Sequence, residues 1–301
     1  MNATAQSNLT CQPSARAQRL MLSQRRETLF IAAWVDALMI HFQVDAKELQ
    51  RDVPFQLDLL DGKAFVSLVA FTMRGMRPRL GGKLAALLFR PIATHHFLNV
   101  RTYVRHAGEC GIHFIAEWLT SRLAVMLGPT TFGLPYRYGR ISYRGDLENA
   151  GFTGQVADVN NGAALKFEAR LARLNNYQTC ATIRRRGAPL RSEASSFAKT
   201  TADRVVGRAS ALPLADFRPC AAGSMDEWFM ERYIAFNSAN GRRRFFRVWH
   251  PPWPQRPAEI ILGETSLLTK NWPWFKEARI VGSNFSPGFE TVWMGRPNAV
   301  P

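Results

Sequence analysis

A chain of 301 residues with 47% hydrophobic content can bury a substantial core, and no Pro/Gly/Ser-rich linker or composition break divides it after the first 26 residues. The formal net charge of +16 rests on 32 arginines against seven lysines, and the basic runs Arg184–Arg186 and Gly241–Arg247 are separated by mixed sequence. That pattern fits a solvated basic surface better than a continuous phosphate-binding stripe. Cys11, Cys110, Cys180 and Cys220 form no C-x-x-C pair, which excludes a zinc ribbon and a dense disulfide scaffold and fits reduced thiols in a cytoplasm.

Residues 1–26 contain Arg16, Arg19, Arg25 and Arg26 and no acid; they read as a disordered basic tail, though the same composition resembles an organellar transit peptide. A single domain is expected over residues 27–297. The apolar run Leu29–Phe42 is interrupted by Asp36 and His41 and is shorter than the roughly 18 to 20 residues a membrane-spanning helix needs, so no membrane partner is expected.

Val44–Pro54 reads as a short helix stopped by Pro54. FQLDLL and AFVSLVAF flank Asp61-Gly62, the strongest short turn signal in the chain, and predict a hairpin. Gly81-Gly82 lies in a basic connector read as a loop. In LNVRTYVRH the alternation places Asn99, Arg101 and Tyr103 on one face of a strand and Leu98, Val100, Thr102 and Val104 on the other. Cys110–Trp118 reads as the next strand, and Thr120 or Ser121 caps a helix that breaks at Gly128-Pro129. FGLPYRYGR then turns through Gly133 and Pro135 into a strand, with Tyr136 and Arg137 at the corner.

From Arg137 to about Phe197 the segments YGRISYRG, GFTGQVADV, GAALKFEARL and SFAKT predict a meander. GSMDEWFMERY carries a capping box, Ser224 and Glu227, ahead of a buried stripe of Trp228, Met230 and Tyr233. RFFRVWH and AEIILGETSLL form a last strand pair around the Pro-rich HPPWPQRP. No phosphate-binding, dinucleotide, nucleophile-elbow or H-E-x-x-H motif is present, and His95 and His96 point apart if they share a strand; neither a metal nor a cofactor is expected.

The order LNVRTYV, then SRLAV leading to FGLPYRYGR, then GSMDEWFMERY, then HPPWP followed by AEI resembles the YqjF-like family, the domain of unknown function 2071, from about Thr28 to Arg296. That family in turn looks similar to acetoacetate decarboxylase. The resemblance implies an α+β, mostly β fold: an antiparallel β-barrel closed round a pocket, with a few flanking helices. In the decarboxylase a helix ends in a Gly-Phe-Pro-Lys-Lys turn; the first lysine forms an imine with a keto acid and its neighbour lowers that lysine's pKa. The corresponding turn here is Gly133-Leu134-Pro135-Tyr136-Arg137. A phenol cannot form an imine and a guanidinium offers no free amine, so imine chemistry is excluded at this position. The family pattern also carries a Glu two residues before the Asn of N-V-R-T-Y, where this chain has Phe97.

The leading expectation is a pocket lined by Asn99, Arg101, Tyr103, Tyr136 and Arg137 that binds or transforms a small anionic organic molecule, a small organic acid. Guanidinium groups in a low-dielectric interior need partners, which a ligand carboxylate supplies or internal acids such as Glu117, Asp146 or Glu231 supply instead. Tyr136 is a proton donor or an aromatic plug, Glu117 an inward acid or a neighbour neutralising Arg122, and His250 an acid or base or a structural histidine. The alternatives are an interaction or nucleic-acid-binding module with an Arg-rich surface and a filled barrel, and an enzyme using Glu117 or His250 without a covalent intermediate.

Overall fold

Residues 14–146, 151–172, 216–239 and 241–300 are described by the structure, a computed structural model. Residues 1–13 of the expected tail, the run Arg184–Arg186 and the expected strand SFAKT lie outside them. Ser14–Ser23 is a helix (α1) rather than a disordered segment, because it has something to bury: Ala17 and Met21 are enclosed, and the Ser14 hydroxyl donates to His250 O (2.7 Å) and accepts from Trp249 Nε1 (3.1 Å).

Apolar residues at almost every position, rather than every other, mark a strand buried on both faces. Accordingly Thr28–Val44 forms the 17-residue strand β1. Helix α2 (Ala46–Asp52) follows, with Asp45 accepting from the amides of Lys47 and Glu48, both at 2.9 Å. The Asp61-Gly62 turn forms as expected: both residues have positive φ (52° and 73°), and Leu60 and Lys63 exchange backbone hydrogen bonds. The hairpin goes no further. β2 (Gln56–Leu57) pairs with Val104 and Arg105 instead of with β3 (Ala64–Pro78), because Asp58 is drawn inward by Arg105 (3.0 Å) and Arg232 (2.7 Å).

The connector around Gly81-Gly82, read as a loop, leads straight into a helix, α3 (Gly82–Phe89). β4 (His95–His106) and β5 (Glu109–Leu119) follow, and Ser121 caps α4 (Arg122–Phe132). α4 does not break at Gly128-Pro129 but runs to a left-handed cap at Gly133 (φ 69°). Gly128 lets the Tyr136 ring lie against the helix: a Cβ there would sit 2.1 Å from Tyr136 Cε2. β6 (Tyr136–Asp146), β7 (Gly151–Asp158) and β8 (Ala164–Leu171) make the expected meander.

α5 (Met225–Met230) has the expected Ser224 cap, with Glu227 taking the Gly223 N–H, and Trp228, Met230 and Tyr233 are buried. β9 (Ile234–Ala239), β10 (Arg242–Trp249) and β11 (Arg256–Leu262) come next. β10 and β11 do not pair with each other. Both instead pair with a second long strand, β12 (Arg279–Gly295), β10 at its C-terminal end and β11 at Asn284 and Phe285. β12 contains Pro287 and Gly288, residues that argue against a strand. Gly288 is required there: it has φ 91°, and a Cβ would fall 1.8 Å from Trp34 O in β1.

The fold is mostly β. Its pairings run in a closed circuit, β5–β9–β10–β12–β1–β3–β4 and back to β5, with the arm β6–β7–β8–β11 bridging β5 to β12. β1, β3, β4 and β5 therefore separate two hydrophobic cores. Leu38, Ile40, Leu68, Leu98, Val100 and Trp118 face one, covered by β7 and β8; Met39, Phe65, Val69, Phe97 and Tyr103 face the other.

Candidate ligand cavity

Period-two alternation along β4 sends His95, Phe97, Asn99 and Arg101 toward the second core, as the sequence predicts for Asn99 and Arg101. Strand register then joins residues far apart in the chain. Asn99 is the Cα partner of Glu117 in β5, and Glu117 is the Cα partner of Tyr136 in β6. An amide, a carboxyl and a phenol thus form one row across three strands.

This row borders a cavity of about 220 Å³. Its walls are mainly apolar and aromatic, among them Phe30, Trp34, Phe71, Phe114 and Phe246; His95, Asn99, Glu117 and Tyr136 add the polar groups. Several of these lack partners among the described residues: Asn99 Oδ1, Glu117 Oε2, both His95 ring nitrogens and Trp34 Nε1 are buried without a well-formed hydrogen bond. Buried polar atoms are nearly always paired, so such a concentration in one space is unusual. Burial holds the Glu117 carboxyl well above the usual carboxylate range, favouring the neutral acid. Burial, with the Glu117 charge adding to it, raises the Tyr136 phenol well above its ordinary value. His95 is pushed down to about 4 by burial and by His96, and is neutral at pH 7. His96 points the other way and bonds Thr72 Oγ1 at 2.8 Å.

Arg101 lies deeper. It lines a second space of about 30 Å³ together with His250 and Arg232, and the two spaces share Trp34, Phe71, Asn99, Phe114 and Val248. Its Nη2 donates to Phe229 O at 3.2 Å, its Nε has no partner, and no carboxylate among the described residues forms an ion pair with it. Neither Glu117 nor Glu231 fills that role: Glu231 is engaged by the Tyr233 hydroxyl and the Trp253 amide, and the Asp146 side chain lies outside the described residues. Tyr103, expected in the lining, is buried beside Arg101 and bonds Ser67 Oγ at 2.5 Å without reaching either space. His250 donates from Nδ1 to Pro251 O (2.7 Å), stacks on Phe289, and is held at about 4 by burial.

Arg137 does not line either space. It follows Tyr136 in a strand and so faces the opposite side, where Nη1 bonds Asn271 Oδ1 (2.6 Å) and the guanidinium lies over the Trp118 and Trp272 rings at 5.1 and 5.8 Å. Sequence reasoning grouped it with Tyr136 through the resemblance of the turn. It also missed His95, whose spacing of two and four from Phe97 and Asn99 was the available signal. Among the described residues no three His, Cys, Asp or Glu groups gather to hold a metal.

A model of the DUF2071 family, described as an uncharacterized conserved protein, matches residues 31–273. The chain belongs to this family. Uncharacterized protein YqjF of Bacillus subtilis (strain 168) is 25% identical over 228 residues, 75% of this chain and 74% of its own length. Among solved structures, an acetoacetate decarboxylase-like enzyme from Sphingomonas wittichii RW1 aligns with TM-score 0.53 at 12% identity, covering 91% of this chain and 95% of its own. Acetoacetate decarboxylase from Legionella pneumophila aligns with TM-score 0.52 at 13% identity, covering 99% and 98%. The enduracididine biosynthesis enzyme MppR, complexed with pyruvate, gives 0.53 at 10% identity over 91% and 89%. Identities this low establish a shared fold and nothing about the reaction.

Proposed function

We propose that this family member binds a small organic acid, its carboxylate directed to Arg101 and its apolar body filling the 220 Å³ cavity, inside a single-domain β-barrel formed by the closed circuit of strands. The observation that carries the reading is Arg101: a guanidinium buried in the core, with Nε unpaired and no carboxylate beside it among the described residues. A buried cation without a counter-charge is costly, and a carboxylate is the group whose geometry matches the guanidinium fork. The anionic end reaches it where Asn99 and Phe114, shared by the two spaces, give way. Arg137 has no part in the site.

Chemistry on such a ligand would use the Glu117 carboxyl and the Tyr136 phenol as hydrogen-bond or proton donors to a carbonyl near Asn99. Both groups are held in their neutral forms, and no described lysine lines the cavity, so the route is non-covalent. A cavity of this size also speaks for a ligand over the filled interior of a nucleic-acid module.

Native mass spectrometry of gently purified protein tests the proposal. A co-purifying acid is expected, retained by the wild type and lost from Arg101→Met, while the melting temperature of the variant does not fall, since a buried charge has been removed. Retention of the same mass by Arg101→Met, or equal affinity for a ligand and its neutral amide, would overturn it. Borohydride treatment with keto acids is expected to leave every lysine unmodified.

A further inference from the structure

α3 has the sequence GKLAALLF and buries none of its residues. Leu84, Leu87 and Leu88 in it, with Leu80 just before, are between 61% and 72% exposed. Leu123, Met126 and Leu127 of α4 are exposed as well. Both helices pack against the turn Arg90–Ile92, so the leucines belong to one region of the surface. A helix about 12 Å long that half-buries only Ala85, Ala86 and Phe89 and turns Leu84, Leu87 and Leu88 to water gains little from folding there unless something covers those leucines.

The charge around these leucines says what. Arg77, Arg79, Lys83 and Arg90 flank α3 and are exposed, and Arg122 opens α4. From Gly62 to Gly108 and from Trp118 to Gly145 the chain contains no Asp or Glu. An apolar patch flanked by cations is the pattern of an element that lies in the headgroup region of an anionic bilayer, with leucines reaching the acyl boundary and cations on phosphates. A symmetric contact with a second copy would press the cationic rims together. A nucleic acid would leave the leucines uncovered.

We infer that α3 and the exposed face of α4 form a docking surface for an anionic phospholipid bilayer. This is a surface mode: no helix among the described residues is long and apolar enough to cross a membrane. Phe89 of α3 and Leu127 of α4 also line the cavity, so docking sets the cavity wall against the acyl region, and an amphiphilic ligand can exchange between the two. The inference concerns the surface and stands whatever the cavity binds.

Flotation of the full-length chain with vesicles tests it, using phosphatidylcholine alone or an equal mixture with phosphatidylglycerol at about 0.1 M salt, where charges are screened beyond about 10 Å. Partitioning is expected to be at least about tenfold stronger on the anionic vesicles, and to fall about tenfold in Leu84→Ser/Leu88→Ser. Lys83→Glu/Arg90→Glu is expected to lose about as much. Lys166→Glu/Arg170→Glu, the same charge change on exposed positions of β8, is expected to lose less than about twofold. Equal losses from the two charge swaps would mean that net charge alone attracts the protein, and would overturn the inference. So would indifference to the leucine changes, no preference for anionic vesicles, or a wild-type oligomer in sedimentation velocity that Leu84→Ser/Leu88→Ser dissociates. If the double variant melts early, Leu88→Ser alone gives the same reading.

Discussion

The two faces of β1, β3, β4 and β5 are built from alternate residues of the same four segments, and they have opposite characters. Leu38, Ile40, Leu68, Leu98, Val100 and Trp118 pack into a continuous hydrocarbon core, where the Trp118 indole N–H is satisfied by Asp158 at 2.8 Å. One residue along, the other face carries His41, Ser67, Asn99, Arg101 and Glu117, all buried: His41 and Ser67 bond each other at 2.7 Å, while Asn99, Glu117 and Arg101 keep unpartnered atoms and border the two spaces. A protein core normally closes its voids and pairs its polar groups. The first face follows that rule and supplies stability; the second breaks it in one place, the behaviour expected of a site where a ligand completes the packing.

Substitutions sharpen this contrast, beginning with the largest effect. Leu98→Ala, in the solid core, is expected to cost about 2–5 kcal/mol in urea unfolding, whereas Met76→Ala, on the cavity wall, costs under about 1.5 kcal/mol because its side chain already borders a void. Equal costs would erase the distinction between the faces. Gly128→Ala introduces a Cβ into the Tyr136 ring and is expected to cost about 1–3 kcal/mol and to abolish ligand retention together, since the ring must move into the cavity. Arg137→Met removes a cation from the rings of Trp118 and Trp272 on the side away from the cavity; a loss of about 0.5–2 kcal/mol is expected, with ligand retention unchanged.

The smallest effects are in pH dependence. The unfolded chain ionises Glu117 near its ordinary value of 4.5, while the folded protein keeps the proton to higher pH. The folded state therefore binds more protons above that point, and this group subtracts stability as pH rises. Glu117→Gln should melt higher than wild type at pH 7, with the gap closing toward pH 4. His95 has the opposite sign. Its folded pKa of about 4 lies below the ordinary 6.5, so stability is full above 6.5 and is lost as pH falls toward 4; His95→Gln should flatten that acid limb.

Much of the site was legible strand by strand. The alternation in LNVRTYVRH placed Asn99 and Arg101 on one face, and the turn at Gly133-Leu134-Pro135 put Tyr136 at the head of a strand. The same period of two separates Tyr136 from Arg137 and aligns His95 with Asn99, so those two assignments were available locally. β12 was not: Pro287 and Gly288 lie opposite the stretch after Val35 where β1 itself bulges against β3, a fact about a segment far away in the chain. Nor was the helical state of α3, whose stretch of Gly, Lys, Ala and Leu reads equally well as a connector.

By itself the sequence determined which residues face together within each strand, where α4 and α5 begin, and that the corner residue cannot form an imine, because these follow from local periodicity, capping chemistry and the functional group present. Only the tertiary structure decided that Asn99, Glu117 and Tyr136 stand side by side, that Arg101 has no acid beside it among the described residues and that Arg137 faces away from the cavity. Register between strands is fixed by burial and by long-range pairing, and neither is encoded within any one segment.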